Sequence, residues 1–164
     1  MYLEKAKQIF FSFREKPPAP CTQEQVEQVE QFLHLKLPQA FREYLLWMGR
    51  GVTDMMDGSD FFYLALFDLR EGAETLMAHT ECQETLPQDA IVFFMHGGNR
   101  FMFIRASEGD DPPVYYSEGG PNGFIKTGST FSTYLEKKIK EWGLFLQEKK
   151  LWEEEARLQK NKPL

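Results

Sequence analysis

Residues 90–105 read AIVFFMHGGNRFMFIR. Two apolar runs, Ala90–Met95 and Arg100–Arg105, are rich in aromatic and β-branched side chains and flank the sequence HGGN. Glycine reaches positive φ without a Cβ clash, so this pattern predicts an antiparallel hairpin. Its strands are apolar at nearly every position, which places the hairpin at the centre of a sheet.

Working outward, SEGDDPP is an acidic loop, and PVYYSE, from Pro113, is a third strand of the same meander. GGPNG makes a turn and FIKT adds a short strand. Ser129 or Thr130 opens a closing helix whose buried stripe is Phe131, Tyr134, Leu135, Ile139 and Trp142. Gly143 is expected to bend or end that helix, although the chain stays helix-prone through Lys160. Trp142, Phe145 and Trp152 either pack against the domain or present an apolar contact to a partner.

On the other side, FFYLAL, from Phe61 to Leu66, reads as an aromatic strand, and VTDMMDGSD before it as a loop. Asp68, with Glu71 three residues on, is expected to cap a helix through Ala78. Further upstream, Thr22 and Gln25 form a capping box ahead of Val26, Val29 and Leu33. Pro38 fits the first turn of another helix, whose stripe is Phe41, Tyr44, Leu45 and Met48; Gly49 and Gly51 end it. Leu3, Ala6, Ile9, Phe10 and Phe13 predict a first helix, stopped by the PPAP segment. Helices, a strand meander and a closing helix give an α+β fold. We expect a curved, mostly antiparallel sheet of four to five strands with N-terminal helices packed on it.

The 164 residues, 42% of them apolar, suit one domain with one core. Cys21 and Cys82 are too few for a disulfide scaffold and suit a reducing compartment. The basic N-terminal stretch is broken at Ser12 and Arg14, unlike a secretory signal, and no apolar run is long enough to span a membrane. These features predict a cytoplasmic protein.

The net charge of −6 is unevenly spread: residues 54–120 hold thirteen acidic and three basic groups. That block repels phosphate backbones, so nucleic acid is not the expected partner. It either keeps the protein soluble or attracts a basic protein. The candidate partner-binding residues are Asp54, Asp57 and Asp60 in one loop, Glu108, Asp110 and Asp111 in a second, and Glu118. The two loops are expected to open at the same end of the sheet.

Nothing in the sequence assembles a catalytic set. His34, His79 and His96 share no ligand spacing with one another or with a cysteine. Glu81 and Glu84 flank Cys82, and acidic neighbours disfavour the thiolate a nucleophile needs, so a nucleophilic role is not expected. HGGNR lies between strands and matches no phosphate-binding fingerprint. Asp57/Asp60 and Asp110/Asp111 lack the spacing of a calcium loop. No catalytic residue, metal or cofactor is expected, and the reading is a non-enzymatic, protein-binding module.

The segment TQEQVEQVEQFLHLKLPQAFREYLLWMG resembles the opening helix pair of the SUKH superfamily. FYLAL, LPQDAIVFFMHGGNRFMFI, PVYYSE and TGSTFSTYLEKKI resemble the rest of that family's pattern in the same order. The resemblance spans roughly residues 22–140, leaving helical extensions at 1–20 and 141–164 of a single 1–164 domain. Many members have glycine where His34 stands, and Asn-Gly-Gly where Met48-Gly49-Arg50-Gly51 stands. The resemblance implies helices against a curved antiparallel sheet and no catalytic residues. For bacterial members it implies an immunity protein that neutralises a toxin, often a nuclease; for fungal relatives, a scaffold in cell-wall and signalling control. A nuclease needs a basic cleft, which an acidic inhibitor can cover.

Overall fold

The computed structural model describes residues 1–160; residues 161–164 of the expected 1–164 domain lie outside them. Helices α1 (Glu4–Phe13), α2 (Gln23–Leu33) and α3 (Gln39–Met48) come first. A two-residue strand β1 (Ser59–Asp60), a 3-10 turn (Tyr63–Phe67) and α4 (Leu69–His79) follow. Then come β2 (Ala90–His96), β3 (Arg100–Arg105), β4 (Pro113–Ser117), β5 (Ile125–Thr130) and α5 (Phe131–Lys160). The sheet is antiparallel throughout, in the order β1-β2-β3-β4-β5. The expected α+β architecture is present, with β3 at its centre.

The hairpin forms as its glycines require. Gly97 and Gly98 take φ of 57° and 67°, and the Asn99 amide donates to the His96 carbonyl at 3.2 Å. Register runs from Ala90 opposite Arg105 to His96 opposite Arg100, with a bulge between Val92 and Phe94. That bulge turns the neighbours Phe93 and Phe94 towards one face. Phe93 meets Phe131 at 5.2 Å, Tyr134 at 5.5 Å and Phe41 at 6.3 Å, so this face is roofed by α3 and α5. The other face bears Val92, Phe101 and Phe103; Phe103 lies 4.9 Å from Phe124. Met95 on that same face touches α4 at Gly72. Both faces of the hairpin are therefore core, which explains why Ala90–Met95 is buried without interruption.

Local signals account for both ends of α2 and the start of α3. Thr22 accepts from the Gln25 amide at 3.3 Å and donates its own amide to the Gln25 side chain at 2.9 Å, the full capping box. His34 closes α2 in the left-handed conformation at φ 53°, a backbone that favours glycine. Pro38 stands at the N-cap of α3, one place before the first helical residue.

Three expectations need correction. Phe61–Leu66 is not a strand: pairing ends at Asp60, and the chain coils into the 3-10 turn. A short run of apolar residues has no periodicity to separate a strand from a buried turn. Here the Tyr44 hydroxyl takes the Phe61 carbonyl at 2.9 Å, and the Tyr63 amide goes back to Gly49 at 2.7 Å. Asp68 does not cap α4 with its side chain. The 3-10 turn leads straight into the helix and holds Asp68 at φ −113°, ψ −19°, away from the extended backbone an N-cap needs. Gly143 does not end α5, which runs on to Lys160. It is a close-approach site instead: a Cβ there would lie 2.1 Å from the Phe13 ring. That gap lets α1 lie against α5, where Phe10 stacks on Trp142 at 5.5 Å and Lys5 pairs with Glu136 at 2.9 Å.

Because both faces are core, Phe93→Ala and Phe103→Ala are each expected to cost about 3–5 kcal/mol in urea unfolding. A wild-type midpoint for either would contradict its placement. Gly143→Ala gains roughly 1 kcal/mol of helix propensity on general grounds. It is nevertheless expected to lower the melting temperature, since the methyl displaces Phe13; a rise would show that the α1–α5 approach is not constrained there.

Candidate functional site

The loop from Val52 to Gly58 joins α3 to β1 and is held by three neighbours. The Trp142 indole N–H donates to the Asp54 carbonyl at 2.9 Å. Arg14 donates to the Thr53 carbonyl at 3.2 Å. On the far side, Ser59 Oγ and His96 Nδ1 are 2.8 Å apart. Within the loop, Asp54 and Met56 adopt φ of 63° and 62°, the left-handed region, where a side chain is disfavoured. Strain of this kind persists only where surrounding contacts hold it, and it gathers at functional loops.

Two grooves lie in this part of the fold. One, of about 360 Å³, runs between the loop and α5. Met55, Met56, Phe94 and Phe145 line it; Asp54, Asp57 and Glu141 stand around it, together with Lys138, which pairs with Glu141 at 2.8 Å. The other, about 580 Å³, lies beside the 3-10 turn; Arg50, Asp60 and Asp68 share it with Phe62 and the exposed Leu64. The first groove combines flexible methionines and aromatic rings with carboxylates, a surface suited to an apolar, positively charged protein segment.

The sheet separates the sequence-derived acidic candidates. Asp54, Asp57 and Asp60 lie at the end marked by the His96–Arg100 turn, because β1 pairs Ser59 with His96. Glu118 lies at that same end, since Ser117 is opposite Phe101. Glu108, Asp110 and Asp111 follow Arg105 at the opposite end, where Arg105 is paired with Ala90. The expectation that the two loops open together is therefore wrong. They lie on opposite sides of one antiparallel strand crossing.

Several of these carboxylates have internal partners. Asp111 accepts from the Ser132 amide at 2.9 Å and the Ser132 hydroxyl at 2.7 Å, capping α5 from outside the helix. The Tyr115 hydroxyl donates to Glu108 at 2.9 Å; burial and that carboxylate push the phenol pKa up. The Tyr116 hydroxyl donates to Glu118. Asp110 accepts the Ala40 amide through its carbonyl at 2.8 Å, leaving its carboxylate exposed. Asp57 and Asp60 are the exposed members at the groove end, and the Asp54 carboxylate reaches Lys149 at 4.0 Å.

Sequence reading missed Met55, Met56, Phe94 and Glu141 as parts of one site. The adjacent methionines within TDMMD were the available signal. Of the aromatic residues left open, Trp142 packs in the core, whereas Phe145 and Trp152 are exposed.

The histidines lie apart: His34 at the end of α2, His79 on the Thr75 carbonyl at 2.7 Å, and His96 on Ser59. Among the described residues, no group of three or more His, Cys, Asp or Glu is placed to hold a metal ion. Cys21 is buried, and burial pushes its thiol up to about 11 against the opposing charge of Arg50. No helix of the described residues is long and apolar enough to cross a membrane.

The model of the SMI1 / KNR4 family (SUKH-1) matches residues 20–137. The chain is also similar to "Immunity protein YxxD" of Bacillus subtilis (strain 168), 25% identical over 126 residues, covering 72% of this chain and 80% of that protein. The family match takes in the loop and both acidic segments; α1 and α5 beyond residue 137 lie outside it.

The two kinds of carboxylate are separable by stability. Asp111→Ala removes the α5 cap and is expected to cost about 1–2 kcal/mol. Asp57→Ala is expected to stay within about 0.5 kcal/mol of wild type. Equal losses in thermal or urea unfolding would contradict this division.

Proposed function

The chain belongs to the SMI1 / KNR4 (SUKH-1) family, and from that premise we propose that it is a cytoplasmic toxin-immunity protein, acting by direct binding rather than by catalysis. The observation that supports this most is the alignment with a protein named as an immunity protein over 80% of that protein's length. The acid-rimmed groove beside α5 supplies a matching surface.

The physical division of labour follows from the groove. Asp57 is exposed and acts at long range, drawing in a positively charged toxin and orienting it, and Glu141, paired with Lys138 at 2.8 Å, can exchange that partner for a cation of the toxin. Met55, Met56 and Phe145 act at contact, where flexible thioethers and an aromatic ring exclude water from the interface. A nuclease toxin fits these terms because its cleft must be basic to hold nucleic acid. Covering that cleft blocks the toxin without any bond being made or broken.

The test is neutralisation of a toxin encoded beside the gene. Wild-type protein is expected to rescue cells and to inhibit the purified toxin at a one-to-one ratio. Inactivation by a small fraction of an equivalent would indicate turnover and overturn the binding reading. Asp57→Lys combined with Glu141→Lys is expected to slow association at low salt by about tenfold or more, with a flatter salt response and an unchanged melting temperature. Association at the wild-type rate would remove the groove from the interface.

A further inference from the structure

The second half of α5 leaves the body of the protein. Leu146 is the last apolar side chain packed on the core, and Lys149 reaches back to Asp54. From Leu151 to Gln159 every residue is exposed. At helical rise, this leaves about 15 Å of helix standing free. Isolated helical ends in water are normally polar all round. This one is not: Leu151, Trp152 and Leu158 are 59%, 61% and 68% exposed.

These side chains form a pattern. Leu144, Leu151 and Leu158 recur every seven residues and so line one side of the helix. Phe145 and Trp152 make a second row beside them, in line with the groove, to which Phe145 contributes. Glu141, Glu148 and Glu155 run between the two rows at the same spacing. Glu154 borders the leucine row on its other side. Glutamates thus border the leucine row on both sides, while Lys149, on the outer side of the aromatic row, reaches back to Asp54, and Lys150 and Arg157 lie on the far side of the wheel.

We propose that this face of α5 is a docking surface for a basic amphipathic helix of a partner protein, laid along the leucine and aromatic rows with its lysines or arginines against Glu148 and Glu155. Apolar side chains that recur every seven residues keep one side of a helix towards a partner helix lying alongside it, and charges beside the seam choose the partner. The same charges argue against a second copy of this chain. In a parallel or an antiparallel pair, each leucine row would bring glutamates against glutamates. A cationic helix meets no such repulsion.

The surface is an addition to the family core, since residues after 137 lie outside the family match. It rests on the proposed function only in taking the partner to be a protein. Helix α1 fixes its direction: Phe10 stacks on Trp142, Phe13 fills the space over Gly143, and Lys5 pairs with Glu136.

The test uses the full chain and a fluorescent peptide of about five helical turns built from leucine and lysine, with a leucine–glutamate peptide of the same pattern as control. Anisotropy is expected to show binding of the cationic peptide alone. Trp152→Ala, and Glu148→Lys with Glu155→Lys, should each weaken it about tenfold or more. The pair Glu27→Lys with Glu71→Lys makes the same charge change elsewhere and should have little effect. Circular dichroism of each variant confirms that the helix is intact. Equal weakening by both charge-changing pairs would mean that the peptide senses only net charge, and wild-type binding by Trp152→Ala would mean that the apolar row is not used; either overturns the proposal. So does sedimentation showing a wild-type dimer that Trp152→Ala dissociates, which would assign the face to a second copy. Toxin rescue is scored separately, so loss of rescue with peptide binding intact strikes the immunity reading, and the reverse strikes this one.

Discussion

Ala90 to Met95 are all buried, and this one constraint organises the rest of the molecule. A strand with apolar side chains on both faces must be covered on both. Helices α3 and α5 cover one face through Phe41, Phe131 and Tyr134; α4 and the segment around Phe124 cover the other. The bulge at Phe93 and Phe94 directs two large rings towards the α3–α5 side, and the cluster of aromatic rings there follows from it. Once the hairpin is enclosed, β1 and the loop before it have one place to go, the edge of β2 at the His96 end.

Trp142 then links that edge to the helices. One side of its ring stacks on Phe10 of α1, and its indole N–H holds the Asp54 carbonyl. A single side chain therefore fixes the approach of α1 to α5 and the position of the loop. Asp54 and Met56 can keep left-handed backbones because their surroundings are anchored in this way. The exposed carboxylate of Asp57 and the half-buried Met56 stand where this anchoring puts them.

How much of this was legible in the sequence depended on the range of the interaction. The hairpin turn and the Thr22 capping box are local, and residues a few positions apart encode them completely. Phe61–Leu66 was misread because its partners, Tyr44 and Gly49, are distant, and a uniformly apolar run carries no period of its own. The acidic loops were misplaced because charge density along a chain does not say which end of a strand a loop follows. Asp111 looked like a free charge because the helix it caps begins twenty residues later, at Phe131. The groove itself could not be read at all: it needs α5 beside a loop from a distant part of the chain, an approach that rests on Gly143 and Phe13.

This division has a consequence for specificity. The loop, with Asp54 and Asp57, lies inside the region matched by the family model, whereas Glu141, Trp142 and Phe145, which form the facing wall, lie after residue 137. One wall of the groove therefore comes from the shared core and the other from an extension supported by α1, which also lies outside the match. Substitutions on the exposed side of that wall leave the enclosed hairpin untouched, because Phe145 and Glu141 contribute nothing to the buried core. Exposed positions of this kind tolerate change at little cost in stability. The geometry thus lets partner recognition diverge in α5 while the fold, held by Ala90–Met95 and its two covering layers, stays fixed.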